Sequence, residues 1–283
     1  MVKVFSLFLL FSSLLFGAVL ESATAEKEDL ILEKVQTFLD QKSYEENRAF
    51  IDIIFDPRES FYENEEPNSL KIIETLKENG LLELFFDAPR EFQLNFKTSG
   101  SPLFFIKIMR DTLRDIGYYR YVTTASHLDS SEFYWTISLE SEYATDPLVL
   151  QSQLQKSGCN IVSIERNSDS EWSYTIDMSR GYLNLEKLVA DEEYRLKRSL
   201  FAHWLDISNI GHLTIYSSRR NHWYPYIAYY NSSMHLLKII KEDRVHKYIE
   251  LEIPKSAKYM KISDLYSLKN VKNELRLLPK NRE

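Results

Sequence analysis

The spacing of apolar residues changes twice along this chain, and those changes limit its fold more than any single motif does. Over residues 26–88 the spacing is helical. Leu32, Val35 and Leu39, widened by Ile31 and Phe38, make one stripe. Ser43-Tyr44-Glu45-Glu46 fits a capping box, opening a second helix that stops before Pro57. A polar loop with Glu63, Glu65, Glu66 and Pro67 follows. Asn68 then caps a third helix carrying Leu70, Ile73 and Leu76, and Asn79-Gly80 ends it.

Residues 89–180 alternate between the two periods. Phe92, Leu94 and Phe96 read as a strand. Ser101-Pro102 starts a helix with Ile106, Met109 and Leu113 inward, Gly117 closes it, and strands are predicted at 118–125 and 132–140. The order then recurs: Asp146-Pro147 opens a helix, Gly158 closes it, and strands follow at 159–166 and 171–178. Leu113 to Gly117 matches Leu154 to Gly158. Glu132-Phe133-Tyr134-Trp135-Thr136-Ile137 matches Glu171-Trp172-Ser173-Tyr174-Thr175-Ile176. A period of about 40 residues in helix–strand–strand order points to a duplicated unit. With the leading strand this predicts a duplicated ferredoxin-like α+β sandwich.

Residues 181–199 are charged and amphipathic and predict a linker helix. From residue 200 only strand spacing remains, at 201–207, 212–217, 222–230, 235–240, 247–253, 258–263 and 271–278. That predicts an all-β sandwich. The expected fold class is thus α+β and multidomain: a helical segment (26–88), the duplicated α+β domain (89–180), a linker helix (181–199) and a C-terminal β-sandwich (200–283).

Within that last region, Ile249-Glu250-Leu251-Glu252-Ile253-Pro254 precedes Ala257-Lys258-Tyr259-Met260-Lys261-Ile262. This resembles the paired strands of galactose-binding-like jelly rolls, in which an x-I-P-x-x-A-x-Y-x-K-I rhythm is common. The resemblance covers residues 200–283 alone and implies a sandwich. The family's amino-terminal strand pair and ligand loops have no residue-by-residue match here, so no sugar site is carried over.

At the amino terminus, Lys3, an apolar run over residues 4–20 and Ala23-Thr24-Ala25 have the layout of a secretory signal peptide. The expectation is a signal over residues 1–25, a mature chain from Glu26, and a periplasmic or secreted protein. An uncleaved anchor is the alternative, and the one route by which this chain would be membrane-bound. Cys159 is the single cysteine, so no internal disulfide forms.

Charge is divided unevenly. Residues 26–199 carry a net charge of −13, and residues 200–283 carry +6. A basic module on an acidic chain suits an anionic polymer, a lipid surface, an acidic protein or the chain's own acidic half. Export and overall acidity argue against nucleic acid.

Signals of chemistry are sparse. The seven glycines are far apart, so neither G-x-G-x-x-G nor a P-loop exists, and G-x-S-x-G, H-E-x-x-H and S-x-x-K are absent. Cys159 opens an apolar strand, the setting of a buried hydrophobe rather than a nucleophile. His203, Asp206 and His212 are the one cluster with metal-binding residue types, and their spacing does not force convergence. No catalytic residue, cofactor or metal ligand is assigned.

The densest aromatic run is Trp223-Tyr224-Pro225-Tyr226-Ile227-Ala228-Tyr229-Tyr230. On a strand, Trp223, Ile227 and Tyr229 share one face and Tyr224, Tyr226 and Tyr230 the other; one face should enter the core and leave a second aromatic row near the surface. Arg219 and Arg220 stand beside them. Pro225 suggests an edge strand open to a ligand. The reading is a non-enzymatic envelope protein that binds or scaffolds, contacting an anionic glycan through Tyr224, Tyr226, Tyr230, Arg219 and Arg220. Two alternatives stand beside it. One is an assembly component docking an envelope protein through a sheet edge; the other is a hydrolase with a dispersed site.

Overall fold

A computed structural model describes residues 30–282, so the signal expected at residues 1–25 lies outside them. The described residues form a mixed α+β structure of six helices and four sheets. None of these helices is long and apolar enough to cross a membrane. Two compact units divide the chain. One runs to Gly100 and resumes at Met109–Gly181; the other takes Ser101–Ile108 and everything from Tyr182.

The first unit starts with helices α1 (residues 30–38), α2 (Gln41–Glu46) and α3 (Arg48–Ile54). Ile31, Val35, Phe38 and Leu39 are buried as the sequence stripe predicts, while Leu32, expected in the same stripe, is only half-buried. The capping box at Ser43 does not form. Asp40 lies three residues earlier, and its carboxylate accepts the Ser43 N–H at 2.9 Å and the Ser43 hydroxyl at 2.6 Å. Asp40 thus takes the Ser43 N–H that the Glu46 side chain would accept in a capping box, so α2 starts sooner and Ser43 falls inside it.

The acidic loop folds into a hairpin of β1 (Tyr62–Glu63) and β2 (Glu66–Pro67). Asn64 and Glu65 both have positive φ, 50° and 69°, as a tight two-residue turn requires. Asn68 caps α4 (Ser69–Glu78) by accepting the Lys71 N–H at 3.0 Å.

Then come β3 (Phe85–Thr98), α5 (Pro102–Asp115), β4 (Val122–Leu128), β5 (Phe133–Tyr143), α6 (Pro147–Gln155), β6 (Asn160–Ser168) and β7 (Glu171–Asp177). Asp146 caps α6 by accepting the Leu148 N–H, with Pro147 in the first helical position. The five strands pair in the order β4-β5-β3-β7-β6; only β3 and β7 run parallel.

Register is pinned at Phe96, which pairs with Trp135 on β5 and Tyr174 on β7. Both rings stack on Phe96 with centroids 5.7 Å away. One face of the sheet is apolar and buried, through Phe92, Leu94, Phe96, Ile137, Trp172 and Ile176. Phe38 of α1 stacks on Trp172 at 6.2 Å, so the helices cover that face. The other face is polar and half-exposed. There one Glu171 oxygen accepts amide N–H groups from Gln93 (3.2 Å), Asn95 (2.8 Å) and Asn167 (3.2 Å).

The second unit holds β8 (Tyr194–Leu196), β9 (His203–Asp206), β10 (Ile210–Ser217), β11 (Pro225–Tyr230), β12 (Leu236–Lys241), β13 (Tyr248–Glu252), β14 (Tyr259–Asp264) and β15 (Leu275–Asn281). They make two antiparallel sheets, β13-β10-β15-β8 and β12-β11-β14-β9. Successive strands change sheet at every step except β11 to β12. One buried cluster draws on both sheets, with Leu213, Ile215, Trp223, Ile227, Met260 and Leu277 among its members.

The linker helix expected at 181–199 is absent; this stretch is extended and supplies β8. Its amides bond to the sandwich rather than to each other. Leu188 N–H donates to Asp206 O, Asp206 N–H to Glu186 O, and Asp191 N–H to Pro279 O, each at 2.9 Å. Leu183, Leu188 and Leu196 are buried at spacings of five and eight residues, which no single helical face joins.

Tyr229 carries a buried hydroxyl with no hydrogen-bond partner among the described residues. Burial pushes its pKa up. Tyr229→Phe keeps the ring and removes the unpaired group, so it is expected to raise stability by about 1 kcal/mol. Urea denaturation reads this directly, and a loss of stability would mean the hydroxyl has a partner.

Candidate functional site

The candidate face is the side of β12-β11-β14-β9 turned away from the shared core. Alternation along β11 sends Ile227 and Tyr229 inward and Tyr226, Ala228 and Tyr230 outward, with Trp223 buried in the cluster just before the strand. Tyr226 pairs with Lys241 on β12 and Ala228 with Lys261 on β14; Lys261 in turn pairs with Trp204 on β9. All four strands therefore contribute to one row.

In that row the Lys241 ammonium lies 5.7 Å from the Tyr226 ring centre. The Lys261 ammonium lies 5.8 Å from the rings of both Tyr226 and Trp204. Trp204 packs on Tyr230 at 5.2 Å. Each ammonium sits within cation–π range of a ring face, which orients it without neutralising its charge. No acidic side chain pairs with Lys241 or Lys261 among the described residues.

Beside the row, Tyr224 meets Tyr266 edge-on at 5.0 Å. Asp264 holds both in place. This buried carboxylate accepts N–H groups from Tyr224 (2.9 Å), Tyr266 (2.9 Å), Ser267 (2.8 Å) and the Asn270 side chain (3.0 Å). It is the keystone of the turn after β14.

The residues singled out in the sequence fare differently. Tyr224 and Tyr226 are half-buried on this face, while Tyr230 is buried, 9 % exposed, and offers little surface. Pro225 does not mark an edge. β11 lies between β12 and β14, and Pro225 is its first residue, where a missing amide leaves no gap in the ladder. Arg219 and Arg220 lie exposed in the turn after β10, away from the strand, and no ring contact joins them to the tyrosines among the described residues. Trp204, Lys241, Lys261 and Tyr266 were missed. For Trp204, Lys241 and Lys261 the signal is cross-strand pairing, and for Tyr266 a turn folded back on Tyr224; one-dimensional alternation carries neither.

Other chemistry finds little support. His203 pairs with core-facing Ile262 and Asp206 with Tyr259, so the two point to opposite faces of β9, and His212 lies in the other sheet. Burial lowers the His203 pKa, and the Asp206 carboxylate accepts the Ser208 N–H and hydroxyl. Among the described residues no three His, Cys, Asp or Glu side chains are grouped to hold a metal. In the first unit, an open cleft of about 720 Å³ carries Arg90, Arg120, Glu91 and Glu140 on its rim. Glu91 and Glu140 face each other across β3 and β5, but both are exposed, unlike a carboxylate pair poised in a closed site.

Cys159 is buried, and burial, with Asp177 adding repulsion, pushes its thiol up to about 11. At pH 8 only ~0.1 % is thiolate, the reactive form. Native protein is therefore expected to resist an aromatic disulfide reagent that titrates one thiol at once in urea. Prompt reaction of the native thiol would contradict this burial. Compared with known proteins, the chain matches no family model, no curated protein and no solved structure.

Proposed function

We propose that this chain is a non-catalytic exported protein of the cell envelope that binds an anionic glycan through the outer face of β12-β11-β14-β9. The observation that carries the reading is the Tyr226 ring flanked by the unpaired ammoniums of Lys241 and Lys261. A flat ring stacks on the apolar face of a sugar, and flanking cations meet its carboxylate or sulfate. Two further observations support it. The basic surplus stays at +6 over residues 182–283, since 182–199 carry four charges of each sign, and Lys107 in the 101–108 part of the second unit raises it to +7. Numbered along the chain, its eight strands run 6-3-8-1 in one sheet and 5-4-7-2 in the other, the order of a jelly roll, an architecture frequent among lectin domains.

A second reading gives the first unit a docking role. We read its sheet as a ferredoxin-like core in which two helix–hairpin copies flank β3, with β7 as the added strand. Its two edges differ. β6 has two register shifts against one on β4, between Thr123 and Ala125, and Lys34 donates to the Ile164 carbonyl at 2.7 Å. Every residue of β4, Val122 to Leu128, is exposed, and the strand has no proline or charge to deter pairing. An extended segment of an envelope protein would add there.

Co-sedimentation with a polyuronate and with its uncharged counterpart, across a salt series, tests the glycan reading. Tyr226→Ala is expected to weaken polyuronate binding roughly tenfold at unchanged melting temperature, and Lys241→Ala and Lys261→Ala to weaken it and flatten its salt dependence. Equal binding of wild type and Tyr226→Ala would sink this reading. Loss of a co-purifying envelope protein in Ser126→Lys, with glycan binding intact, would instead favour docking at β4.

A further inference from the structure

An unpaired donor is buried in the first unit. Trp172 on β7 is 1 % exposed, and its indole N–H has no hydrogen-bond partner among the described residues. Leaving such a donor empty is unfavourable, and an occupant that supplies an acceptor removes the cost. Trp172 lines a small pocket of about 110 Å³ at the start of β3, with Glu83, Phe86, Arg90, Arg166 and Asp169 also on its wall.

The wall narrows the chemistry of the occupant. Arg166 is already engaged. One of its terminal nitrogens donates to the Phe38 carbonyl and the other to Asp169 at 2.6 Å. Arg90 has no ion pair among the described residues, and its guanidinium is held over the Phe86 ring at 4.3 Å. One free indole N–H and one free, oriented guanidinium call for a group with two acceptor oxygens and one negative charge. A cation offers the indole no acceptor. A dianionic phosphate is disfavoured by the carboxylates of Glu83 and Asp169 on the same wall. Water satisfies the indole but leaves Arg90 unused.

We propose that this pocket binds a carboxylate group, one oxygen accepting the Trp172 indole N–H and the other facing the Arg90 guanidinium. This site is separate from the proposed glycan face and does not depend on it. The carboxylate belongs either to a free small acid or to the carboxyl end of a peptide entering from the open side.

The full-length mature protein labelled with nitrogen-15 provides the test, because its four tryptophans give a short set of indole signals. Trp172→Phe assigns the relevant signal by its disappearance. Acetate is titrated first, then a tripeptide with a free carboxyl end and the same tripeptide amidated. A saturable downfield shift of the Trp172 indole proton is expected, weakened roughly tenfold or more in Arg90→Gln. Arg90 is exposed, so this variant keeps the fold, and its melting temperature is the check. Acetate binding as tightly as the peptide would assign the site to a free acid. Preference for the free-ended peptide over the amide would assign it to a chain end. No saturable shift up to about 100 mM of any carboxylate, or equal shifts with chloride, or undiminished binding in Arg90→Gln, would overturn the proposal and leave a water-filled pocket.

Discussion

The first unit depends on how three aromatic rings meet across β5, β3 and β7. Phe96 is central, and Trp135 and Tyr174 flank it at equal centroid distances of 5.7 Å. A strand slipped by one residue turns its whole apolar set to the other face. Here such a slip would also break two ring stacks and expose Leu94 and Trp172, which the same register buries. The aromatic row thus selects which face the helices cover. It also decides which face is left for the polar network around Glu171. Tyr174 adds a polar tie: its hydroxyl reaches the Thr145 carbonyl, and Thr145 donates to the Tyr118 hydroxyl at 3.0 Å.

In the second unit the matching constraint is polar. Asp264 terminates β14, and four N–H groups converge on its buried carboxylate. Burying a charge is costly unless hydrogen bonds surround it, so this turn has little freedom to relax. Tyr224 and Tyr266 are held by their own amides rather than by packing alone. Trp223 is fixed as well, its indole donating to the Ser263 carbonyl at 2.9 Å. The aromatic side chains nearest the proposed glycan face are therefore pre-positioned by backbone bonds, which lowers the entropy lost when a ligand stacks on them.

Legibility in the sequence followed the range of the interaction. All seven strands expected after residue 200 appear, because each is announced by its own alternation. Asn68 and Asp146 act as helix caps where the local pattern placed them. The misses arise where a competing partner lies outside the window. Asp40 takes the Ser43 N–H that a capping box assigns to Glu46. β8 has only three residues amid charged neighbours, and its pairing with Leu275, Arg276 and Leu277 comes from far along the chain. Pro225 looked like an edge marker because a proline's position within a strand cannot be known before the strand's ends are. Trp204, Lys241 and Lys261 are far apart in the chain and share a face only through the strand order.

That strand order also gives the charge asymmetry a location. A net surplus of lysine and arginine says nothing by itself about where an anion would sit. Lys241 and Lys261 differ from solvated surface cations because ring faces hold them over Tyr226 and Trp204 while no carboxylate quenches them. On the opposite sheet, Arg276 lies 4.8 Å from the Tyr216 ring but also reaches Glu193 at 3.5 Å, and Arg195 bonds to Glu193 and Glu274. The same residue types thus occur on both outer faces in different electrostatic states. On one they are answered by acids; on the other they are left free. Selectivity for an anionic ligand would arise from that difference in pairing rather than from the number of basic residues.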